Sequence, residues 1–312
     1  MKTATIIICT RNRAEHLRKT LSSMGALRLP DDLRVSLLVV DNASTDHTAE
    51  VVRDCGMLNM PVAYLVESKR GLVHARNRGL ENTSGDFLLW TDDDVRVPHD
   101  WVERMTEPLL AGRADGVSGR IRMAPSLERP WMERTHYFRL ADNRFRSPLD
   151  LSMVGANMAF ARAVLEAVPL FDQDLGAGKL GQRDDTLFSQ QVRLAGFRVS
   201  QVECEVEHHF EPERLQRGAW LRHGEASGRS AAMLRVHWER SPVPLAVLWL
   251  WLWLAALRVY RVLKAPDGVD TEGCTSAEIR IVEQIAYYRY YLEVKDASPK
   301  YEKFGLRPIA RV

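Results

Sequence analysis

Phe87-Leu88-Leu89-Trp90-Thr91-Asp92-Asp93-Asp94 is the stretch whose reading decides the fold. An apolar run with the look of a buried strand delivers the chain directly into three carboxylates. Like charges side by side repel, so three aspartates together at a strand end make most sense if a cation joins them. Hard divalent cations, Mn2+ or Mg2+, take oxygen ligands and commonly bridge one or two carboxylates to the phosphates of a substrate. In open α/β sheets ligands sit beyond the carboxyl ends of the strands. A solvated acidic turn is the rival reading, and the surrounding sequence decides between them.

Upstream, apolar segments at 4–9, 35–41, 62–66 and 86–91 read as strands, and helical periodicity occupies 13–27, 46–55 and 72–82. That alternation predicts a parallel sheet with helices on both faces. Each strand runs into a polar cluster: Thr10-Arg11-Asn12-Arg13, Asp41-Asn42-Ala43-Ser44-Thr45-Asp46, Glu67-Ser68-Lys69-Arg70-Gly71, and the aspartates. Parallel strands bring all four clusters to one end of the sheet, where they build a single site. Asp41 follows Leu37-Leu38-Val39-Val40 and is placed to accept a hydrogen bond from a base edge. Ser44 and Asp46 equally suit the cap of the next helix. No Gly-x-Gly-x-x-Gly follows the first strand, and no Gly-x-x-x-x-Gly-Lys-Ser/Thr occurs, which argues against dinucleotide and P-loop cofactors.

Downstream the pattern is mixed. A strand is expected near 116–121, then a long loop over 124–150 rich in Pro, Arg and Trp, then Met153-Val154-Gly155-Ala156-Asn157-Met158-Ala159-Phe160 and a short helix at 161–168. The glycine-punctuated segment 175–181 leads to Asp184 and Asp185, which open a helix closed by Gly196. Acids at a helix start are favoured by the helix dipole, and the glycine-rich approach also suits a substrate-facing position. Glu205-Val206-Glu207-His208-His209-Phe210 ends a further strand with two imidazoles.

The totals are those of an ordinary globular protein: 312 residues, 46% hydrophobic and 27% charged. A net charge of +2 lacks the basic excess of a nucleic-acid binder. Four scattered cysteines with no metal-ligand spacing suit a reducing cytoplasm, and the N-terminus, too short and β-branched for a secretory signal, reads as the first strand. Near the other end, Leu245–Leu257 carries no charge and includes Trp249, Trp251 and Trp253, with Arg235, Arg240, Arg258, Arg261 and Lys264 around it. Thirteen apolar residues are too few to cross a bilayer, which takes about 20. As a helix the run would be buried in protein, paired in a homodimer, or laid in the headgroup region of an anionic membrane. Residues 276–304 read as another helical stretch, rich in tyrosine.

Taken in order, these elements resemble the family 2 glycosyltransferases with a GT-A fold, over residues 3–235. The resemblance rests on Ile8 to Arg13, Val40 to Asp46, Gly71-Leu72-Val73-His74-Ala75-Arg76-Asn77-Arg78-Gly79, Asp92-Asp93-Asp94, Gly155-Ala156-Asn157, Asp184-Asp185, and His208 followed by Glu213-Arg214. It implies a Rossmann-like, mostly parallel central sheet flanked by helices, with a C-terminal helical extension. It further implies a metal-dependent, inverting transfer of a sugar from a nucleotide-sugar donor, a UDP-sugar, to a saccharide or lipid-linked saccharide acceptor. Thr10, Arg11 and Asp41 would line the base and ribose pocket, in motifs that also contribute Asn12, Arg13, Ser44 and Asp46. Asp92 and Asp93 would hold the ribose or support the metal site, and Gly155 and Asn157 would complete the donor pocket. Arg76 would approach the diphosphate. Asp94 would ligate Mn2+ or Mg2+, with His208 as the later metal or phosphate ligand. Asp185 would be the catalytic base, with Asp184 standing where the family usually has glutamate. The expected divisions are 1–240 for the catalytic domain, with halves at 1–115 and 116–240, and 241–312 for the extension. The expected location is cytoplasmic, peripheral on the inner face of the plasma membrane, in cell-surface polysaccharide or glycolipid synthesis. An inactive nucleotide-sugar-binding or membrane-binding module and a sugar nucleotidyltransferase are the alternatives.

Overall fold

The computed structural model describes residues 1–147, 151–264 and 268–306. Its elements run β1 (Lys2–Thr10), α1 (Ala14–Gly25), β2 (Leu33–Asp41), α2 (Thr48–Arg53), β3 (Val62–Val66), α3 (Leu72–Glu81), β4 (Phe87–Asp92), β5 (Val95–Arg96) and α4 (Trp101–Leu110). There follow β6 (Gly116–Met123), α5 (Arg134–Arg139), β7 (Met158–Ala161), α6 (Val164–Ala167), α7 (Asp184–Leu194), β8 (Val199–His208), α8 (Arg217–His237), α9 (Ala246–Lys264) and α10 (Ser276–Val294). Contacts divide the chain into two units, Met1–Gln173 with Phe188–His209, and Asp174–Leu187 with Phe210–Val312.

The first unit carries the sheet, in the order β3-β2-β1-β4-β7-β6-β8-β5. Strands buried on both faces need apolar side chains at every position, and residues 6–8 of β1 and 37–40 of β2 comply. Ile6, Ile8, Leu37 and Val39 join one core with Leu17, Leu21 and Met24 of α1 and Trp101 and Met105 of α4. Ile7, Leu38 and Val40 join the other with Val73 and Leu80 of α3 and Phe188 and Val192 of α7. Each such side chain fully buried stabilises the fold by about 1.5–3 kcal/mol.

The parallel pairs β1–β2, β1–β4 and β2–β3 end at the same level, with Thr10 opposite Asp41 and Cys9 opposite Asp92. The second half of the sheet departs from the expected parallel order. β7 lies antiparallel between β4 and β6, because strand direction is set by the path of the connecting chain and not by the apolar pattern of the strand. β6 is irregular between Ser118 and Arg120. There a Cβ on Gly119 would fall 2.1 Å from Asn157 Nδ2. Asn157 donates to the carbonyls of Arg120 (2.8 Å) and Cys204 (2.9 Å) and accepts from Trp101 Nε1 (2.9 Å). A fully buried amide thus ties three elements together at the flaw in the ladder.

Within the segment expected as a loop, 124–150, the chain forms α5 in addition to a short 3-10 turn at Pro125–Leu127. Residues 148–150 of that segment lie outside the described ones. β5, only two residues long, pairs antiparallel with β8, setting Val95 opposite His208, and the His209 N–H donates to the Asp94 carbonyl at 2.7 Å.

In the second unit α8 packs closely on α10. A Cβ on Gly224 would meet the Ile279 carbonyl at 3.0 Å, and one on Gly228 the Glu283 carbonyl at 2.1 Å, so only glycine permits this approach. Arg217 at the start of α8 forms a two-armed ion pair with the buried Glu278 of α10. These contacts place α8 with the C-terminal helices, whereas the sequence division fell after it, at 240.

Candidate active site

Hydrogen bonds tie the polar end of β1 to that of β4 and to that of β2, and the end of β2 to that of β3. Asp93 turns towards α1: its Oδ2 accepts from Thr10 Oγ1 at 2.7 Å, its Oδ1 from Arg13 Nη1 at 2.6 Å, and its carbonyl from Thr20 Oγ1 at 2.6 Å. Asp94 is 1% exposed, and its Oδ2 accepts from Arg13 Nη2 at 2.7 Å. One guanidinium therefore clamps two successive carboxylates. Burial pushes the Asp93 carboxyl up, to about 7, against the pull of Arg13. Burial also disfavours a charge on Asp94, but His208 and Arg13 beside it overcome that and hold its carboxyl well below the usual range.

His208 completes this group from the end of β8. Its Nδ1 lies 3.1 Å from the Leu140 carbonyl, which only accepts, so Nδ1 carries the hydrogen. Nε2 is then turned to Asp94 Oδ2, 3.3 Å away. A neutral imidazole would set a lone pair against a carboxylate there; a proton on Nε2, or a cation between the two groups, removes the conflict. A backbone carbonyl holding the far nitrogen is the usual support of a metal-binding histidine. The other Asp94 oxygen, Oδ1, is buried and has no hydrogen-bond partner. Burying a carboxylate oxygen unpaired is costly, and an ion would satisfy it. Among the described residues no cluster of three or more His, Cys, Asp or Glu is arranged to hold a metal by side chains alone. The residues present therefore fit a cation that completes its shell with substrate oxygens, the usual habit of magnesium.

Asp92 is more open, its side chain 37% exposed, with Arg76 Nη2 at 3.8 Å from Oδ1. Arg76 is itself buried, 5.5 Å from the centre of the Phe171 ring. The space for its guanidinium exists because residue 155 is glycine, where a Cβ would fall 2.1 Å from Nη2.

At the end of β2, the buried Asp41 accepts from the Ser44 N–H at 2.8 Å and from the Tyr64 hydroxyl. Burial and the Asp41 carboxylate push the Tyr64 phenol well above its ordinary value. The Asn12 N–H donates to Ser44 Oγ (2.9 Å), and Asn12 Oδ1 accepts from the Thr45 N–H (2.7 Å). Asp46 accepts from the N–H groups of Ala14 (3.1 Å) and Thr48 (3.2 Å), capping the starts of α1 and α2 together. Arg11 is half-buried and makes no hydrogen bond or ion pair among the described residues.

The structure thus gathers Thr10, Arg13, Asp93, Asp94 and His208 in one network, Asn12, Asp41, Ser44 and Asp46 in a second, and Arg76, Asp92 and Gly155 in a third. Arg13 and Asp46 spend their polar atoms on the protein itself, and both amide hydrogens of Asn157 are engaged in the sheet. Asp184 and Asp185 stand in the first turn of α7, Asp184 buried and Asp185 half-buried, within the second unit. Two residues escaped the sequence reading. Tyr64 gave no signal beyond its place in the middle of a strand-like run. Asn42, adjacent to the chosen Asp41, joins the loops after β2 and β3 through the carbonyls of Glu67 (3.1 Å) and Lys69 (2.6 Å) and the Gly71 N–H (2.7 Å).

A family model described as glycosyl transferase family 2 matches residues 5–168. The succinoglycan biosynthesis protein ExoM of Rhizobium meliloti is 30% identical over 72% of this chain and 74% of its own length. The poly-beta-1,6-N-acetyl-D-glucosamine synthase of Staphylococcus aureus is 24% identical over 83% of this chain, which spans 63% of that protein. Among solved structures, a mannosyltransferase of Pyrobaculum calidifontis in complex with GDP-Man and Mn2+ superposes with a TM-score of 0.58 at 20% identity, covering 93% of this chain and 86% of that one. S. aureus TarS 1-349 in complex with UDP-GlcNAc gives 0.51 at 16% identity, covering 94% and 91%. These likenesses give the fold as GT-A: a mixed, helix-flanked sheet with a C-terminal helical region.

Proposed function

The chain belongs to glycosyl transferase family 2, and on that premise we propose that it moves a sugar from a nucleotide sugar to an acceptor hydroxyl with inversion, using Mn2+ or Mg2+, in polysaccharide or glycolipid synthesis at the cytoplasmic side of a membrane. The observation that carries the reading is Asp94, with one buried oxygen unpaired and the other facing His208 Nε2. When bound there, a divalent cation would be held by Asp94 with His208 behind or beside it, and would offset the negative charge that grows on the leaving diphosphate. Arg76, seated under Gly155, supplies a fixed positive charge for the same group. Thr10 and Arg13 hold Asp93 and Asp94 in place, and Asp41 with Tyr64 offers a polar edge to the nucleoside. Asp185 takes the proton of the acceptor hydroxyl as it attacks the anomeric carbon, and Asp184 supports it. The donor we favour is a UDP-sugar. GDP-Man belongs in any screen, since one structure of the same fold carries it.

The test incubates purified protein with UDP-glucose, UDP-galactose, UDP-GlcNAc and GDP-mannose, with and without Mn2+, and follows nucleoside diphosphate release. Release from at least one donor that requires the metal, and that falls about 10²–10⁴-fold in Asp185→Asn, is the expected result. Turnover of Asp185→Asn within a few-fold of the parent would remove the base assignment. Unchanged affinity of Asp94→Ala for nucleoside diphosphate with Mn2+, by calorimetry, would remove the metal ligand.

A further inference from the structure

Within the second unit, α8, α9 and α10 enclose a cleft of about 820 Å3. Its apolar wall is formed by Leu221, Trp251, Leu254, Val282 and Ile285. Its charged groups are Arg229, Arg258, Arg261 and Arg289 against Glu225 and Glu293, four positive and two negative, an excess of two. Arg229 approaches Glu225 at 3.9 Å, while Arg258, Arg261 and Arg289 make no ion pair or hydrogen bond among the described residues. With Glu225 answered by Arg229, three arginines stand against one remaining acid, Glu293, an excess that calls for an anion with an apolar part.

α9 indicates where that anion comes from. The helix is only 6% buried over its apolar window. Val247, Leu248, Trp249, Trp251 and Leu252 are each more than 40% exposed, far from the usual state of such a run. No Asp or Glu occurs between Arg240 and Lys264. From Ala246 to Leu257 the uncharged part is twelve residues, about 18 Å at 1.5 Å each, against about 30 Å of hydrocarbon. By length and composition the whole nineteen-residue helix could cross a membrane, but Arg258 and Arg261 interrupt its second half, which suits the plane of the interface. Tryptophans with arginines are the pairing that headgroup layers favour. A second copy docked symmetrically on this face would set one net positive excess against another, whereas an anionic bilayer supplies phosphates.

We propose that the cleft between α8, α9 and α10 receives the phosphate-bearing headgroup of an anionic membrane lipid, with the tryptophan face of α9 lying in the headgroup layer. Arg258, Arg261 and Arg289 grip the phosphate oxygens through their paired N–H groups, and the apolar wall meets the first carbons of the chains. The site does not depend on the sugar-transfer reading, and its test reads lipid binding alone.

The full chain is sedimented with vesicles of mixed phosphatidylglycerol and phosphatidylcholine, and separately with phosphatidylcholine vesicles. Binding to the first, at least about tenfold tighter than to the second, is expected, with loss of about fivefold for each of Arg258→Gln and Arg289→Gln. Trp251→Ser should weaken binding to both vesicle types. All three positions are exposed, so circular dichroism should show an unchanged fold. Arg193→Gln, an exposed arginine on α7, should leave binding as it was. Equal binding to both vesicle types, binding to neither, or arginine variants indistinguishable from the parent would overturn the proposal. So would release from vesicles by millimolar pyrophosphate at constant ionic strength, since that would mark a site for a soluble anion. A dimer that Trp251→Ser dissolves, with no vesicle binding, would assign the face to a second copy instead.

Discussion

Replacing Arg13 with methionine keeps the apolar stem and removes the one group that holds Asp93 and Asp94 together. Arg13 gives 2.6 Å and 2.7 Å hydrogen bonds to these two carboxylates, which are 4% and 2% exposed at the side chain. Charge-assisted bonds contribute about 1.5–3 kcal/mol each, so about 3–6 kcal/mol bounds the loss. Two features reduce it. The Arg13 side chain is 25% exposed, so solvent already screens part of the attraction, and Asp93, whose carboxyl burial has pushed to about 7, relieves the strain by taking a proton. A loss of about 2–4 kcal/mol remains, which for a chain of this size lowers Tm by about 3–6 °C. The second half of the experiment tests the metal site. With Arg13 gone, Asp94 keeps only His208 beside it, and a divalent cation gains more by entering. Mn2+ should therefore raise the Tm of Arg13→Met by more than it raises that of the parent; saturation at a hundred times Kd alone is worth about 2.7 kcal/mol. Thermal unfolding with EDTA and then with excess Mn2+ reads both effects. A variant within about one degree of the parent would refute the clamp, and equal protection of both proteins by Mn2+ would refute the link between clamp and metal.

Glu278→Ala should cost about 3–5 kcal/mol in urea unfolding, since it strands the buried Arg217, while Arg217→Met with Glu278→Leu should be close to neutral; a single variant as stable as the double would contradict the pairing. Gly155→Ala places a Cβ 2.1 Å from Arg76 Nη2. It should push that guanidinium away and weaken nucleoside diphosphate binding with Mn2+ by about tenfold, one charged contact of about 1.4 kcal/mol; an unchanged calorimetric Kd would argue that Arg76 does not face the diphosphate. Asp86 accepts from the Thr3 hydroxyl and N–H and from Lys2, and these bonds hold its carboxyl at about 2 against an ordinary 3.8. A depressed carboxyl contributes stability above the unfolded value and loses it as pH falls through the folded one. Asp86→Asn should therefore be less stable than the parent at pH 7, the gap in urea midpoint closing as pH drops from about 4 towards 2; a gap independent of pH would deny the effect.

Much of the first unit was legible because its signals are local. The strand expected at 86–91 forms at Phe87–Asp92, and the polar clusters meet because parallel strands with a shared register must end together. The second half was not legible for the opposite reason. Nothing in Met158-Ala159-Phe160-Ala161 states that it runs antiparallel between β4 and β6; that follows from contacts far apart in sequence. The chemistry of single residues divided the same way. The family resemblance named Asp94 and His208 together, and they lie 3.3 Å apart. Type did not say that Asp46 would be used up capping two helices, or that Arg13 would turn inward to its own aspartates. Each of those outcomes depends on which unpaired N–H or carboxylate lies within reach once the backbone is placed. The same holds for α8, whose Gly224 and Gly228 have no visible purpose until the backbone of α10 is seen against them.

The two-residue strand β5 has a consequence out of proportion to its length. By pairing Val95 with His208, and with the His209 N–H on the Asp94 carbonyl, it staples the aspartate corner directly to the imidazole that serves it. Residues more than a hundred positions apart are thereby kept in fixed register, so a substitution that frays these two rungs would be felt at both side chains at once.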